Sequence, residues 1–314
     1  MKLLDVLSGK KPAESAEHRI NPVYDTAKSC LANLARAGCE EAAVLGEKLN
    51  FEKYTEPGSF IEIGTALFQE VRYRFVNHCI RQSGCKNILD IGCGYSPRGI
   101  LFANEGYHYV GADIPAVIND MSKLSGLCVS EKNAAALEYI AADATNPEAL
   151  LAAADAMDGP VCIITEGVLM YFPVYEMKEV LCGIKKVLHK HGGCMYTPDF
   201  CMNRLMTASS AAVSGKLTGR FLQAIATKVV GQYTYGTRDE MNPSSWYARE
   251  DDEIPYKFFT ENGFDIKRIP VYNPEMQLKT LEKIKKSSRD VLLKEYARTF
   301  GWKLTLAPDP GEGR

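Results

Sequence analysis

Residues 87–101 read NILDIGCGYSPRGIL, and this stretch decides the fold. The apolar run Asn87–Ile91 predicts a buried strand. Gly92 and Gly94 come next and predict a tight turn in which the backbone can approach a ligand. Ser96–Pro97 supplies a favourable N-cap and first residue for a helix that follows the turn. A strand, a glycine turn and a helix start leave free backbone N–H groups at one point, which is typical of a nucleotide-type site.

Apolar strand patterns and amphipathic helix patterns alternate along the rest of the chain. The other predicted strands are residues 108–113, 137–143, 161–165, 194–197, 264–272 and 302–306. This alternation predicts an α/β protein with a Rossmann-like, doubly wound sheet and helices on both faces. In such sheets the ligand binds outside the carboxyl ends of the strands.

The domain organisation follows from where this alternation begins and where it loosens. Residues 1–84 are predicted to form an N-terminal helical cap, whose strongest element is an amphipathic helix at 60–82. Residues 85–314 are predicted to form the core, with a lid insertion after the fifth strand at about 203–252. That insertion holds Trp246 and Tyr247, which are candidate aromatics of an acceptor pocket. A further amphipathic helix is predicted at 278–299.

Composition limits the possible partners and the compartment. The 314 residues carry a net charge of −2, which does not favour nucleic acid or an anionic membrane as a partner. The sequence shows neither a signal peptide nor an apolar run long enough to span a membrane. Ten cysteines are scattered without a CxxC pair, so we expect reduced thiols, no metal site and a cytoplasmic location.

Acidic residues stand at or near the carboxyl ends of four predicted strands, and two ligands compete to explain them. These residues are Asp90, Asp113, Asp143 and Glu166. A dinucleotide site would have the pattern GxGxxG, but its third glycine falls on Pro97. The acid at 113 follows the first glycine at 92 by 113 − 92 = 21 residues, which suits both NAD and S-adenosylmethionine.

S-adenosylmethionine has no pyrophosphate, so the third glycine is not required for it. Asp113 is placed to accept from the ribose diol, and Asp143 from the adenine amino group. Asp90, Gly92 and Glu166 lie where the ammonium of the methionine moiety needs acceptors. Asp143 has a second interpretation, because it is also placed to cap the turn before the next helix.

Arg72 and Arg74 flank the apolar stripe of the helix at 60–82. One interpretation is two surface arginines whose stems lie along apolar surface. The other is a guanidinium at the mouth of the site that binds a carboxylate through two hydrogen bonds.

Several motifs resemble the leucine carboxyl methyltransferase family, which includes polyketide-type O-methyltransferases. Gly92–Arg98 resembles its GxGxxxR motif, and Ala112–Ile118 is similar to its DxPxV segment. Glu166–Pro173 resembles its EGxxxY segment, and Arg72–Arg74 resembles its arginine-rich helix. The resemblance covers about residues 60–200.

The resemblance implies a class I methyltransferase core with seven strands, of which the last is antiparallel. It implies that Arg72 meets the carboxylate of the cofactor, with Arg74 as the fallback. The rest of the cofactor site would comprise Asp90, Gly92, Gly94, Asp113, Ile114, Asp143, Ala144 and Glu166. This chain departs from the family at Ser96–Pro97, where the family has an acidic residue and a threonine. The first 57 residues and those after 205 match poorly, so the substrate does not carry over.

Together these features predict an S-adenosylmethionine-dependent O-methyltransferase acting on a small molecule, with a carboxylic acid favoured over a hydroxyl. A carboxylate is already ionised near pH 7 and needs no general base, and no histidine is placed to be one. Tyr171 is the candidate residue that orients the acceptor. The alternatives are an NAD(P)-dependent oxidoreductase and a non-catalytic protein that binds the cofactor.

Overall fold

A computed structural model describes residues 16–50, 58–215 and 252–308. The strands are β1 (Asn87–Ile91), β2 (His108–Asp113), β3 (Leu137–Ala141), β4 (Val161–Thr165), β5 (Gly193–Thr197), β6 (Phe264–Pro270) and β7 (Phe300–Leu306). The α-helices are α1 (Ala16–Arg36), α2 (Glu40–Lys48), α3 (Phe60–Gln82), α4 (Arg98–Asn104), α5 (Pro115–Leu124), α6 (Pro147–Ala153), α7 (Val174–His191), α8 (Met202–Ser214), α9 (Glu253–Glu261) and α10 (Lys286–Ala297). Short 3-10 turns include Leu169–Tyr171 and Asp199–Cys201.

All seven strands form one sheet in the order β3-β2-β1-β4-β5-β7-β6. Strands β1 to β5 pair in parallel, and β7 runs antiparallel between β5 and β6. The predicted α/β Rossmann-like sheet of the class I methyltransferase fold, with its antiparallel last strand, is therefore confirmed. The strand order reverses between β1 and β4, and ligands of such sheets bind at that point. The loops after β1 and β4 therefore bound the expected site.

Local sequence signals explain where the main helices begin. Ser59 and Glu62 form a capping box at the start of α3, since the Ser59 hydroxyl accepts from Glu62 N at 3.2 Å and Glu62 Oε2 accepts from Ser59 N at 3.0 Å. The Asn146 side chain accepts from two backbone N–H groups at the start of α6, where Pro147 is the first residue. Helix α3 was predicted at this place.

Two sequence-based helix boundaries are wrong. The helix expected at 278–299 is divided into a 3-10 turn at Lys279–Lys283 and helix α10. The reason is tertiary, because Glu70 of α3 accepts from the backbone N atoms of Lys279 and Thr280 at 2.7 and 2.9 Å and fixes this segment outside an α-helix. The sequence predicts Ser96 as the N-cap of α4 and Pro97 as its first residue. In the structure Pro97, with ψ of 2°, is the N-cap, and the helix begins at Arg98.

Both faces of the sheet are covered by helices. Helices α6, α7 and α9 pack on one face, and α3, α8 and α10 cover the other. Helices α1 and α2 belong to a third apolar cluster that includes Tyr73 of α3 and Tyr95 of the glycine turn. The N-terminal helices therefore lie beside the glycine turn.

Only part of the predicted domain organisation falls within the described residues. Helix α8 is the described beginning of the predicted lid at 203–252, and the remainder, with Trp246 and Tyr247, lies outside the described ranges. The division between a cap at 1–84 and a core at 85–314 remains a prediction.

Two adjacent glycines at the start of β5 provide a matched stability test. Gly193 has φ of +108°, and a Cβ there would lie 2.1 Å from the carbonyl oxygen of Val161 in the neighbouring strand. Gly192 has φ of +72°, but a Cβ there would meet nothing within 4 Å. We expect Gly192→Ala to lower the free energy of unfolding by about 1 kcal/mol, because φ of +72° with ψ of −173° is a region that essentially only glycine adopts. Gly193→Ala should lower it by about 2 kcal/mol, because the strands must also separate. Urea denaturation of both variants measures the difference, and equal losses would contradict the role of the β4–β5 approach.

Two further properties concern the helices and the cysteines. None of the helices in the described parts of the chain is long and apolar enough to cross a membrane. All ten cysteines are described, and each is a free thiol.

Candidate functional site

The glycine turn after β1 is held against the loop after β4. Gly92 has φ of +67°, and its N–H donates to the carbonyl oxygen of Ala112 at 2.8 Å. A Cβ on Gly92 would lie 2.4 Å from Cγ2 of Val168, so a side chain at this position would displace the loop. Glycine is therefore required here by both conformation and space. The contact brings Glu166, which begins the loop, close to the end of β1.

Asp113 joins the glycine turn to the end of β2. Its Oδ2 accepts from Gly94 N and its Oδ1 accepts from Ile114 N, each at 2.7 Å. Burial raises the pKa of Asp113, and these two N–H groups oppose the shift. Each carboxylate oxygen holds one backbone donor, which leaves acceptor capacity for a ligand hydroxyl.

The sequence allowed Asp143 either to accept from a ligand or to cap the next turn, and the structure shows the capping bonds. Its Oδ1 accepts from the N–H and the hydroxyl of Thr145, at 2.9 and 2.7 Å. The side chain is exposed, and Ala144 is partly buried against the core. Ala142 N donates to the carbonyl oxygen of Asp113 at 3.1 Å, which brings the ends of β2 and β3 together. Asp143 therefore lies at the same edge of the sheet as Asp113.

A buried network of four charged side chains lies between the glycine turn and α3. Arg98 Nη1 lies 2.8 Å from Asp90 Oδ2, and Arg98 Nη2 donates to Glu166 Oε2. Arg72 Nη2 lies 3.1 Å from the other oxygen, Glu166 Oε1. Glu166 thus bridges two arginines, and all four side chains are at most 9% exposed.

Neutral groups add further hydrogen bonds to this network. Asn77 accepts from Arg98 Nε at 2.9 Å, and Tyr109 donates to Asp90 Oδ2 at 2.8 Å. Burial lowers the pKa of Arg98, but the charges of Asp90 and Glu166 outweigh it, so the pKa of Arg98 is raised and the residue stays charged. Burial also raises the pKa of Asp90, against the effect of Arg98.

Arg72 keeps one unused hydrogen-bond donor in this network. Its guanidinium contacts Gln69 Oε1 through Nη1 at 3.4 Å and lies 4.9 Å from the ring centre of Phe68. Its Nε is buried and has no hydrogen-bond partner among the described residues. An unsatisfied buried donor is costly unless an acceptor completes it.

Arg74 is not brought to this network. Its Nε lies 4.0 Å from Glu70 Oε1, and the side chain lines a separate cavity of about 390 Å³ with His78 and Lys279. Successive residues of a helix point in different directions, so two arginines two positions apart do not share a face. Arg74 Nε is also buried without a hydrogen-bond partner among the described residues, but it faces Glu70 and not Glu166, so the fallback role of Arg74 remains a prediction.

Helix α1 packs against the glycine turn and against Tyr171. A Cβ on Gly94 would lie 3.3 Å from the Cβ of Ala27, and Thr26 Oγ1 lies 3.3 Å from the hydroxyl of Tyr171. Burial raises the pKa of Cys30, and the nearby Arg72 opposes the shift. Burial also raises the pKa of Tyr171, so its hydroxyl keeps its proton at neutral pH. Residues 26–30 of α1 therefore lie beside the glycine turn, Tyr171 and Arg72.

Asp199 is a site-proximal acid that the sequence analysis missed. It is fully buried and accepts from the backbone N atoms of Gly167, Val168 and Leu169. Burial raises its pKa to about 6. The signal was present, since Asp199 follows β5 closely, as the other acids follow their strands. Arg98 was recognised only as part of a motif, and its position at the centre of the network required the structure.

No family model matches the chain, and no curated protein is similar to it. Among solved structures, the chain is similar to a DUF574 family protein from Streptomyces avermitilis, with 14% identity, a TM-score of 0.47 and coverage of 89% of this chain and 97% of that one. A putative O-methyltransferase from Nostoc punctiforme has 14% identity and a TM-score of 0.46, over 88% of this chain and 72% of that one. Magnesium protoporphyrin IX methyltransferase from Synechocystis, with bound SAH, has 13% identity and a TM-score of 0.43, over 80% of this chain and 89% of that one.

Proposed function

We propose that this chain is an S-adenosylmethionine-dependent methyltransferase that O-methylates a carboxylate, or a hydroxyl, of a small molecule. The observation that carries the proposal is the unused Nε donor of buried Arg72, next to Glu166 and close to the glycine turn. These groups converge at the point where the strand order reverses, and there a parallel sheet binds its ligand. The site offers a donor for a carboxylate and acceptors for an ammonium and a ribose diol.

The residues fit the parts of the cofactor one by one. Arg72 Nε would bind the carboxylate of the methionine moiety, and Glu166 would attract its ammonium. Asp113 would accept from the ribose hydroxyls, since each of its oxygens holds one backbone N–H. Asp143 would accept from the adenine amino group through the oxygen that does not cap Thr145. Asp90 would not contact the cofactor directly, because both of its described side-chain hydrogen bonds come from Arg98 and Tyr109. Its role would be to hold Arg98 in place.

When bound, the cofactor supplies an electrophilic methyl group on a sulfonium. The protein has to hold the acceptor oxygen in line with that methyl and exclude water, and such positioning supplies much of the rate. Tyr171 keeps its proton at neutral pH and can donate a hydrogen bond that orients the acceptor. A carboxylate acceptor is favoured because it is ionised near pH 7 without a general base. Helix α1 and the lid predicted at 203–252 would cover the site.

Calorimetry with S-adenosylhomocysteine and with NAD tests the proposal against an NAD(P)-dependent oxidoreductase. We expect S-adenosylhomocysteine to bind and NAD not to bind, because the third glycine of a pyrophosphate site is replaced by Pro97. Binding of NAD alone would refute the proposal. Release of S-adenosylhomocysteine with a panel of carboxylic and phenolic acceptors would then separate an enzyme from a non-catalytic binding protein.

A further inference from the structure

Asp199 collects three consecutive backbone donors of the loop after β4. Gly167 N donates to Oδ1 at 2.6 Å, and Val168 N and Leu169 N donate to Oδ2 at 3.2 and 3.0 Å. The carboxylate itself is held by the turn after β5, where Asp199 N donates to Thr197 Oγ1 at 3.1 Å. Charge-assisted bonds of this kind are stronger than bonds between neutral groups. The loop is thereby tied across the sheet from β4 to β5.

This loop connects the two residues that face the proposed ligands. Glu166 stands directly before the three donors and bridges Arg72 and Arg98. Tyr171 ends the 3-10 turn that begins at Leu169, the last of the three donors. Between them, Val168 packs onto Gly92. A shift of these three N–H groups would therefore move Glu166, Tyr171 and the glycine turn together.

Charged and titratable groups surround Asp199 on several elements. Arg72 of α3 lies within electrostatic reach, and Glu166 of the loop opposes the negative charge. Tyr171 and Cys201 also feel the charge of Asp199. Burial is nevertheless the largest influence on Asp199, and the N–H donors of the loop only partly compensate for it. Above about pH 6 the Asp199 carboxylate is therefore ionised, although its burial makes ionisation costly.

We propose that Asp199 is a positioning residue whose ionised carboxylate fixes the loop 166–171, so that Glu166 and Tyr171 face the cofactor and the acceptor. The inference rests on the proposed function for its effect on the cofactor, but the clamp itself is a property of the loop. All three donors belong to the loop that carries Glu166 and Tyr171.

Acidification separates the positioning role from a stabilising one. The pKa of Asp199 is raised to about 6 in the folded protein, above the ~3.9 expected in the unfolded chain. Its own contribution to stability is therefore larger at low pH and declines as the pH rises from about 4 to about 6. Loop order and cofactor affinity follow the opposite direction. The N–H donors of the loop lower the pKa of Asp199, so its pKa is higher still when the loop moves away and the carboxyl stays buried. Protonation therefore favours the open loop.

The variant Asp199→Asn tests this inference, with Asp155→Asn as a matched control whose carboxylate is exposed and pairs with Lys190. The affinity for S-adenosylhomocysteine is measured by calorimetry between about pH 7.5 and about pH 5. Amide hydrogen exchange measures the protection of residues 167–169 under the same conditions. Wild-type affinity and protection should each fall at least tenfold on acidification through about pH 6. Asp199→Asn should be low in both at about pH 7.5 and show no such transition, and the control should follow the wild type.

The possible outcomes separate the inference from the proposed function. If wild-type protein does not bind S-adenosylhomocysteine at any pH, the proposed function fails, and exchange at residues 167–169 still decides the clamp. If Asp199→Asn keeps wild-type affinity and protection, the inference is overturned. If Asp199→Asn does not fold, the wild-type pH series and Asp199→Glu, which should retain a pH transition, decide instead. Absence of a transition in both would then refute the clamp.

Discussion

Replacing Arg98 by methionine is expected to lower the free energy of unfolding by about 3–5 kcal/mol. Arg98 is 1% exposed and lies between Asp90 and Glu166, with Asn77 accepting from its Nε. Its removal leaves Asp90 as a buried carboxylate without a cationic partner, and Glu166 keeps only Arg72. The cost arises because these charges stay out of water after their partner is lost. Urea denaturation near neutral pH measures the change.

Two further variants make this test specific. Arg81→Met removes an arginine whose partner Glu105 is at the surface, and we expect a change of less than about 1 kcal/mol. The double variant Arg98→Met, Asp90→Asn should recover part of the loss, because the uncompensated carboxylate is gone. If the double variant loses as much stability as the single variants Arg98→Met and Asp90→Asn together, the two charges are not coupled.

Replacing Arg72 by methionine is expected to weaken binding of S-adenosylhomocysteine by about 100-fold or more, which corresponds to about 2.7 kcal/mol. The loss follows from the carboxylate of the ligand, which would lose its guanidinium in a buried site. 5′-Methylthioadenosine has the same nucleoside but lacks that carboxylate and the ammonium. Its affinity for the variant should stay within about twofold of its affinity for the wild type. Calorimetry with both ligands measures the two effects separately.

Arg74→Met is the matched control, since Arg74 is two positions away on α3 and lines a different cavity. Its affinity for S-adenosylhomocysteine should equal that of the wild type. Circular dichroism of both variants detects any loss of folding, which matters because Arg72 also neutralises Glu166. Equal losses for the two ligands in Arg72→Met would mean that Arg72 acts on the fold of the site and does not bind the carboxylate.

The positions of the strands along the chain and the edge that carries the site could be predicted because both depend on local patterns. Apolar runs and glycine turns recur along the chain at the spacing of a parallel sheet, and parallel strands bring their carboxyl ends to one edge. Asp90, Asp113 and Glu166 were found from this rule without any contact information. Asp199 obeys the same rule and was missed, because Thr197-Pro198 separates it from the strand pattern.

The apolar pattern by itself does not choose between Arg72 and Arg74, and only the family resemblance favoured Arg72. Both flank one apolar stripe, and only the docking of α3 beside the loop after β4 decides which side chain reaches Glu166. The prediction of one continuous helix at 278–299 was wrong for a similar reason. Its periodicity is helical, but Glu70 on α3 binds two of its backbone N–H groups, 209 and 210 positions away in the chain.

The sequence by itself determined the Rossmann-like sheet, the glycine turn and the strand-end acids, because hydrophobic period and backbone conformation are properties of neighbouring residues. Only the tertiary structure decided which charges meet. Glu166 between Arg72 and Arg98, and Asp199 beneath the loop that carries Glu166, are contacts between residues at least 30 positions apart. Such pairs form because burial makes an unpaired charge costly, and burial is set by how the helices pack on the sheet.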